Sequence, residues 1–341
     1  MYATLFATPL KIGVPIPLTG NSAAEGTDVK NAFTLAIDLY AKDLLEPIFE
    51  DEACSPTLAA IATEKLLSVS NVDLITGFTC SGSTLAAAPI AERHKKILMA
   101  ISASSPAITN AGEYIYRLWP SDTNGAKNLL TTISNKTSTL GIVSEETPYC
   151  IGLLNAIKEN NKANIKINEI SFITGTVDYK TIVAKMKNFN VSTLLLNTQS
   201  EQNLISVYSE LQRQNFHPQI LGNYYPGATA FLNKFKSKAD GIIFSDAPSE
   251  NDFRNPEAKG FINLFIQKFG AIKSIPSIVT VAAAGVQILA ELAKSPTSLK
   301  EQLDTKIFNT ILGPISFDKN GDVVGVNLVL KKIQNGAVVS Y

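Results

Sequence analysis

Short continuous apolar runs alternate with longer amphipathic stretches along almost the whole chain. A run that is apolar throughout, rather than at every second position, reads as a strand covered on both faces, the habit of parallel sheets. Such runs fall at residues 11–17, 47–50, 73–77, 97–101 and 114–118, with helices expected at 27–42, 57–68 and 83–93 between them. Trp119-Pro120-Ser121-Asp122 is a turn signal and a crossing point, after which a second series begins. Its strands are expected at 139–143, 166–173, 193–196, 219–221 and 241–244, and its helices at 149–159, 179–188 and 200–214. Each series predicts its own βαβ-type parallel sheet. Beyond Asp246-Ala247-Pro248, helices are expected at 256–269, 277–293 and 299–309, followed by a run at 315–318, a turn at 319–322 and two strands. Asp318-x-Asn320-x-Asp322 is spaced like the start of a calcium loop but lacks the Glu that would complete it, so Asn-Gly there reads as a turn.

The strand ends at 77 and 101 each run into small hydroxyl residues, Thr79-Cys80-Ser81-Gly82-Ser83-Thr84 and Ser102-Ala103-Ser104-Ser105. Open α/β sheets bind ligands outside the carboxyl ends of their strands. One cluster also opens a helix, whose first turn presents unpaired N–H groups and a positive partial charge. Serines are common helix caps, but two clusters on consecutive strand ends favour a socket for a small anion, most simply a carboxylate.

Composition narrows the classes. The chain has 341 residues, 45% hydrophobic and 18% charged, with 30 basic and 30 acidic residues. It is long enough for two domains, and the balanced charge gives no footprint for nucleic acid or an anionic membrane. The longest apolar candidate, 278–293, is broken by Gln287 and Glu291 and reads as a buried helix. Residues 1–10 lack a full signal-peptide pattern and leave open the tail of a removed leader or an added start. Of the three cysteines, Cys54 and Cys80 follow predicted strands whose ends could meet, and a bridge would imply an oxidising compartment. Two reduced buried cysteines are the other reading, and Cys150 is the odd one out. No phosphate loop, nucleophile elbow, HExxH or CxxC is present, and His94 and His217 are the only histidines. No catalytic residue, metal or cofactor is therefore expected, and binding without chemistry is favoured over an enzyme.

The opening Ile12-Gly13-Val14-Pro15-Ile16-Pro17-Leu18-Thr19-Gly20, the two serine segments, and Tyr114-x-Tyr116-Arg117-x-x-Pro120-Ser121-Asp122 resemble the type I periplasmic solute-binding proteins. These are the receptors of branched-chain amino-acid ABC importers, the Leu/Ile/Val-binding family. Thr174-Gly175-Thr176-x-Asp178-Tyr179 and Leu312-Gly313-Pro314-Ile315-Ser316-Phe317-Asp318 extend the likeness over nearly the whole chain. The resemblance implies an α/β fold of two Rossmann-like lobes with parallel sheets joined by three hinge crossings. Lobe one would be 11–119 plus 249–322, and lobe two 120–248 plus 323–341. It further implies a Cys54–Cys80 disulfide, a periplasmic monomer and a membrane permease as partner. Ligand carboxylate would be held by Ser81 and Ser104 with the backbone at Ser83, an ammonium would face the Ser102–Ala103 backbone, and Tyr149 would cover the ligand. Tyr224 stands where leucine-type binders carry an acid, Gln199 near a second aromatic, and Glu25 in place of a first-loop aromatic. The anion socket is thus kept while the usual ammonium partner is absent. Either Glu25 supplies that charge or the ligand, an aromatic or aliphatic acid, has no amine. A ligand-sensing regulator of the same fold is the competing role.

Overall fold

The computed structural model describes residues 8–133, 139–176, 178–249 and 256–341. Most of the 1–10 segment therefore lies outside the described residues.

The first series folds as β1 (Leu10–Ile16), α1 (Ala23–Tyr40), β2 (Leu45–Asp51), α2 (Pro56–Ser68), β3 (Leu74–Thr76), α3 (Ser81–His94), β4 (Leu98–Ala100) and β5 (Ile115–Arg117). Its strands form one parallel sheet in the order β2-β1-β3-β4-β5. The second comprises α4 (Asp122–Thr131), β6 (Thr139–Glu145), α5 (Pro148–Asn160), β7 (Lys166–Phe172), α6 (Tyr179–Asn188), β8 (Thr193–Asn197), α7 (Glu201–Arg213), β9 (Gln219–Gly222), α8 (Thr229–Phe235) and β10 (Ile243–Asp246). The chain ends with α9 (Pro256–Phe269), α10 (Pro276–Ala293), α11 (Leu299–Thr305), β11 (Phe308–Thr310), β12 (Gly313–Phe317), β13 (Val323–Val324), β14 (Val329–Gln334) and β15 (Ala337–Ser340). The second sheet runs β15-β14-β10-β9-β8-β6-β7, with β14 and β15 antiparallel, and β11-β12-β13 make a small antiparallel sheet.

The hydrophobic pattern explains these elements. Strands β3, β4, β5 and β8 are buried at every position, as continuous apolar runs should be. Helix α7 buries Leu204, Val207, Tyr208 and Leu211, one face at helical spacing, and its Ser200 cap accepts from the Asn203 N–H. Helix α10 is long and apolar enough to cross a membrane, yet it is mostly buried, packing against α1, β2 and β11. The core-helix expectation for 278–293 is the arrangement seen.

Three local readings are corrected. Ser121 is an N-cap that accepts from the Thr123 N–H, so Trp119–Asp122 leads into helix α4 rather than only turning. That helix buries little beyond Asp122, Gly125, Ala126 and Leu129, which is why its pattern is faint. Helix α8, also short, likewise went unpredicted. The helix expected to reach residue 309 stops at Thr305, because Phe308 and Thr310 alternate inward on β11. Strand β13 stays paired with β12. At 318–322 the backbone forms a turn: Asn320 N–H donates to the Asp318 carboxylate, and Gly321 takes a φ of 75°.

Cys54 and Cys80 are bonded, with Cα atoms 5.6 Å apart, and Cys150 is free and buried. Their strands are not neighbours, since β1 lies between β2 and β3. The bridge is made by the loops beyond those strands. Closing a separation of 26 residues stabilises by about 3 kcal/mol in the chain-entropy view. A denatured, unreduced sample from the native compartment should therefore titrate one thiol, and the Cys54→Ala/Cys80→Ala pair should lose about 3 kcal/mol in denaturant unfolding. Three thiols would contradict the bridge.

Candidate functional site

In each sheet the strand order reverses at one point, between β1 and β3 in the first and between β6 and β8 in the second. Crevices form at such switch points, outside the carboxyl ends of the strands. Here the two crevices face each other. Asn21, Ser22, Cys80 and Gly82 of the first lobe and Glu145, Thr147, Gln199 and Ser200 of the second line one cavity of about 520 Å³. The lobes meet closely around it. A Cβ on Gly152 would lie 2.6 Å from Ser105 Oγ, and one on Gly82 would lie 3.2 Å from Pro148 Cγ. Small residues at both places let α5 lie against α3.

Below the cavity, the serine clusters meet. Ser81 opens α3, and its Oγ accepts from the N–H of Ser104 at 3.3 Å and of Ser105 at 3.1 Å. With both lone pairs engaged, its proton is what it can offer a ligand anion. The first intrahelical bond of α3 runs from Thr84 N–H to Cys80 O, so the N–H groups of Ser81, Gly82 and Ser83 precede it. Ser104 Oγ donates to Asp122 at 2.8 Å. Fully buried Arg117 fixes this loop, donating to the carbonyls of Ser104 and Ser105 and, at 2.6 Å, to Asp322. The hydroxyl of Ser83 donates to buried Glu52, so only its backbone N–H is placed as expected for a ligand.

Glu25 lies in the first turn of α1, not in the loop before it, and is 4% exposed. Ser102 Oγ donates to its carboxyl at 3.1 Å, and Tyr225 Oη lies 3.3 Å from the other oxygen. Tyr225 donates its proton to the Gln199 carbonyl at 2.5 Å. The same hydroxyl also reaches Glu25, so its one proton is shared between the two acceptors. Burial pushes the Glu25 pKa up to about 7, against hydrogen bonds from Ser102, Thr79 and Tyr225 that lower it. Burial does the same to Asp122 and Glu52, each to about 7.

An aromatic wall closes the second lobe. The Tyr224 ring lies 4.5 Å from Tyr225, 5.6 Å from Tyr149 and 5.3 Å from Trp119, centre to centre. All four are buried, and the Tyr149 hydroxyl has no partner. Tyr225 is both packed and polar-contacting.

Ser81, Ser83, Ser102, Ala103, Ser104, Tyr149, Tyr224 and Glu25 are thus all buried beneath the cleft, and of the expected ligand residues only Gln199 lines the larger cavity. Sequence reasoning missed Asp122, Glu145 and Glu201. Glu145 ends β6 and accepts from Thr174 Oγ1 at 2.6 Å and Gln199 N–H at 2.8 Å. The strand-end rule applied to the second series would have found it. Glu201, 9% exposed, follows the α7 cap, where an acid ordinarily signals no more than a helix start.

The sequence matches the family described as periplasmic binding protein over residues 9–337. It is 24% identical over 339 residues to the leucine-specific-binding protein of Salmonella typhimurium, covering 94% of this chain and 89% of that one. It is 25% identical over 351 residues to the leucine-, isoleucine-, valine-, threonine-, and alanine-binding protein of Pseudomonas aeruginosa, covering 94% and 88%. Among solved structures, a leucine binding protein from Thermotoga maritima superposes with a TM-score of 0.87 at 20% identity, over 97% of both chains. A solute binding protein from Rhodopseudomonas palustris BisB5, in complex with 3,4-dihydroxybenzoic acid, gives 0.85 at 19% identity, over 98% and 96%. A branched-chain amino acid transporter substrate binding protein from Streptococcus pneumoniae, in complex with isoleucine, gives 0.83 at 20% identity, over 98% and 100%. These likenesses show the fold.

The raised carboxyls set a pH dependence. A carboxyl whose folded pKa exceeds its unfolded one binds protons more tightly when folded, so its stabilising share is present at low pH and lost as pH rises. Glu25 and Glu52 rise from 4.5, and Asp122 from 3.8, to about 7. The melting temperature of the ligand-free protein should therefore fall between about pH 4.5 and pH 7 and level off above, read by calorimetric scans across that window. A melting temperature rising through the window would contradict the buried acids.

Proposed function

The chain belongs to the periplasmic binding protein family, and on that footing we propose that it is the extracytoplasmic receptor of an ABC importer. It closes two lobes on a small carboxylate ligand, an amino acid first of all, and delivers it to a membrane permease. The lobes divide near 119/120, near 248/249 and after Val324, and move about those crossings. Periplasmic residence accords with the Cys54–Cys80 bridge.

One observation carries the amino-acid reading: Glu25 is buried among neutral donors, with no cation among the causes of its shift. A buried carboxyl without a cation is costly in its charged form. A ligand ammonium at the Ser102–Glu25 face supplies the missing charge, from the opposite lobe to the acid that Tyr224 replaces. The ligand carboxylate then takes the Ser81 hydroxyl and the N–H groups that open α3, while the Ser104 hydroxyl, expected to share that role, is engaged with Asp122. A second reading, an aromatic carboxylate lacking an amine, is favoured by the buried rings of Trp119, Tyr149, Tyr224 and Tyr225, flat apolar area with hydroxyl tips.

A thermal-shift screen separates the readings by pairing leucine with 4-methylpentanoate and phenylalanine with 3-phenylpropanoate, with 3,4-dihydroxybenzoate alongside. The amino acids should raise the melting temperature more than their deaminated partners. Stabilisation by the deaminated acids alone would overturn the choice. Ser81→Ala should weaken the responding ligand about tenfold in calorimetry, since a hydrogen bond to a charge contributes about 1.5–3 kcal/mol.

A further inference from the structure

Glu25 and Glu201 come from opposite lobes and line the same small cavity, of about 10 Å³, with Asn21, Ser22, Tyr225 and Ser274. That is the room one water-sized group requires. No Lys, Arg or His is among its lining residues. Glu201 is 9% exposed, and its Oε2 is buried without a hydrogen-bond partner. Burial raises its pKa, and nearby Asp28 raises it further. An acid placed only to favour a helix start would keep its oxygens in water. Two carboxyls facing one another across a closing seam repel unless one is protonated or a cation lies between them. Asn21, Ser22 and Ser200 line both this cavity and the larger one, so the small chamber opens onto the space where a ligand enters. An ammonium has the size and carries three donors, enough for both carboxyls and a hydroxyl.

We infer that Glu201 is a specificity-determining residue of the site: with Glu25 it clamps the ligand's ammonium from both lobes, so that closure is complete only around an amine. Glu201 thereby supplies from the second lobe the acid that Tyr224 does not. The inference rests on the amino-acid reading above and extends it, making the amine a bridge between the lobes rather than a group held by one of them.

The test is isothermal titration of the full chain and of Glu201→Gln with leucine and 4-methylpentanoate. In the natural chain leucine should bind more tightly. In Glu201→Gln leucine should weaken tenfold or more, as for loss of a buried charge partner, while 4-methylpentanoate is little changed, so the ratio collapses towards one. A variant that folds, judged by its ligand-free melting temperature, and keeps the leucine preference of the natural chain overturns the clamp and leaves the amino-acid reading standing. A natural chain that prefers 4-methylpentanoate, or binds neither, overturns both. If Glu201→Gln does not fold, Glu201→Asp keeps the charge but withdraws it by a methylene. Leucine should then weaken several-fold, and unchanged affinity would overturn the clamp.

Discussion

Carboxyls held in the interior without a cation are the constraint on which the cleft depends. Glu25, Asp122 and Glu52 are each pushed up to about 7 chiefly by burial, and the partners they have are mostly hydroxyls and backbone N–H groups. Arg117 tempers Asp122 but is itself engaged with Asp322 and the Ser104 and Ser105 carbonyls. An interior so arranged is stable empty only by holding protons. A ligand that brings positive charge replaces them, which couples what the protein binds to the protonation state of its own core.

Topology puts those acids where a ligand arrives. Each sheet reverses its strand order once, and the segments beyond the strands carry the hydroxyl clusters with Glu25 and Glu52 in one lobe and Asp122 and Glu145 in the other. The closeness of the lobes then depends on small residues. Gly82 meets Pro148 and Gly152 meets Ser105, and a side chain at Gly152 would hold the seam apart. Tyr225 reaches Glu25 across the same seam at 3.3 Å, so the environment of Glu25 includes a group from the opposite lobe.

The fold was largely legible because its strands are continuous apolar runs and its helices keep a clear buried face. Where a helix is short and buries only a few positions, as α4 and α8 do, periodicity had little to report. The helix overrun into Phe308–Thr310 arose because a short run of alternating buried positions mimics the end of an amphipathic helix. Within the site, the serine clusters announced themselves by composition at strand ends, and the resemblance placed Tyr149 and Tyr224. Glu25 was visible as a residue but not as a buried one, since a first-turn acid is usually solvated. Glu201 was hidden for the same reason, whereas Glu145, at the end of β6, was open to the strand-end rule. Glu25 and Glu201 line one cavity from opposite lobes, and no local pattern reports a surface brought up from residues more than 100 positions away.

Proton release on binding tests the central claim most directly. At pH 7 a free Glu25 near its pKa of about 7 is partly protonated, and an ammonium beside it lowers that pKa. Calorimetric titration of leucine at pH 7 in two buffers of different ionisation enthalpy should then give different apparent heats, corresponding to protons released from the site. Identical heats in both buffers, with leucine bound, would mean that no buried carboxyl changes its protonation and would contradict the account.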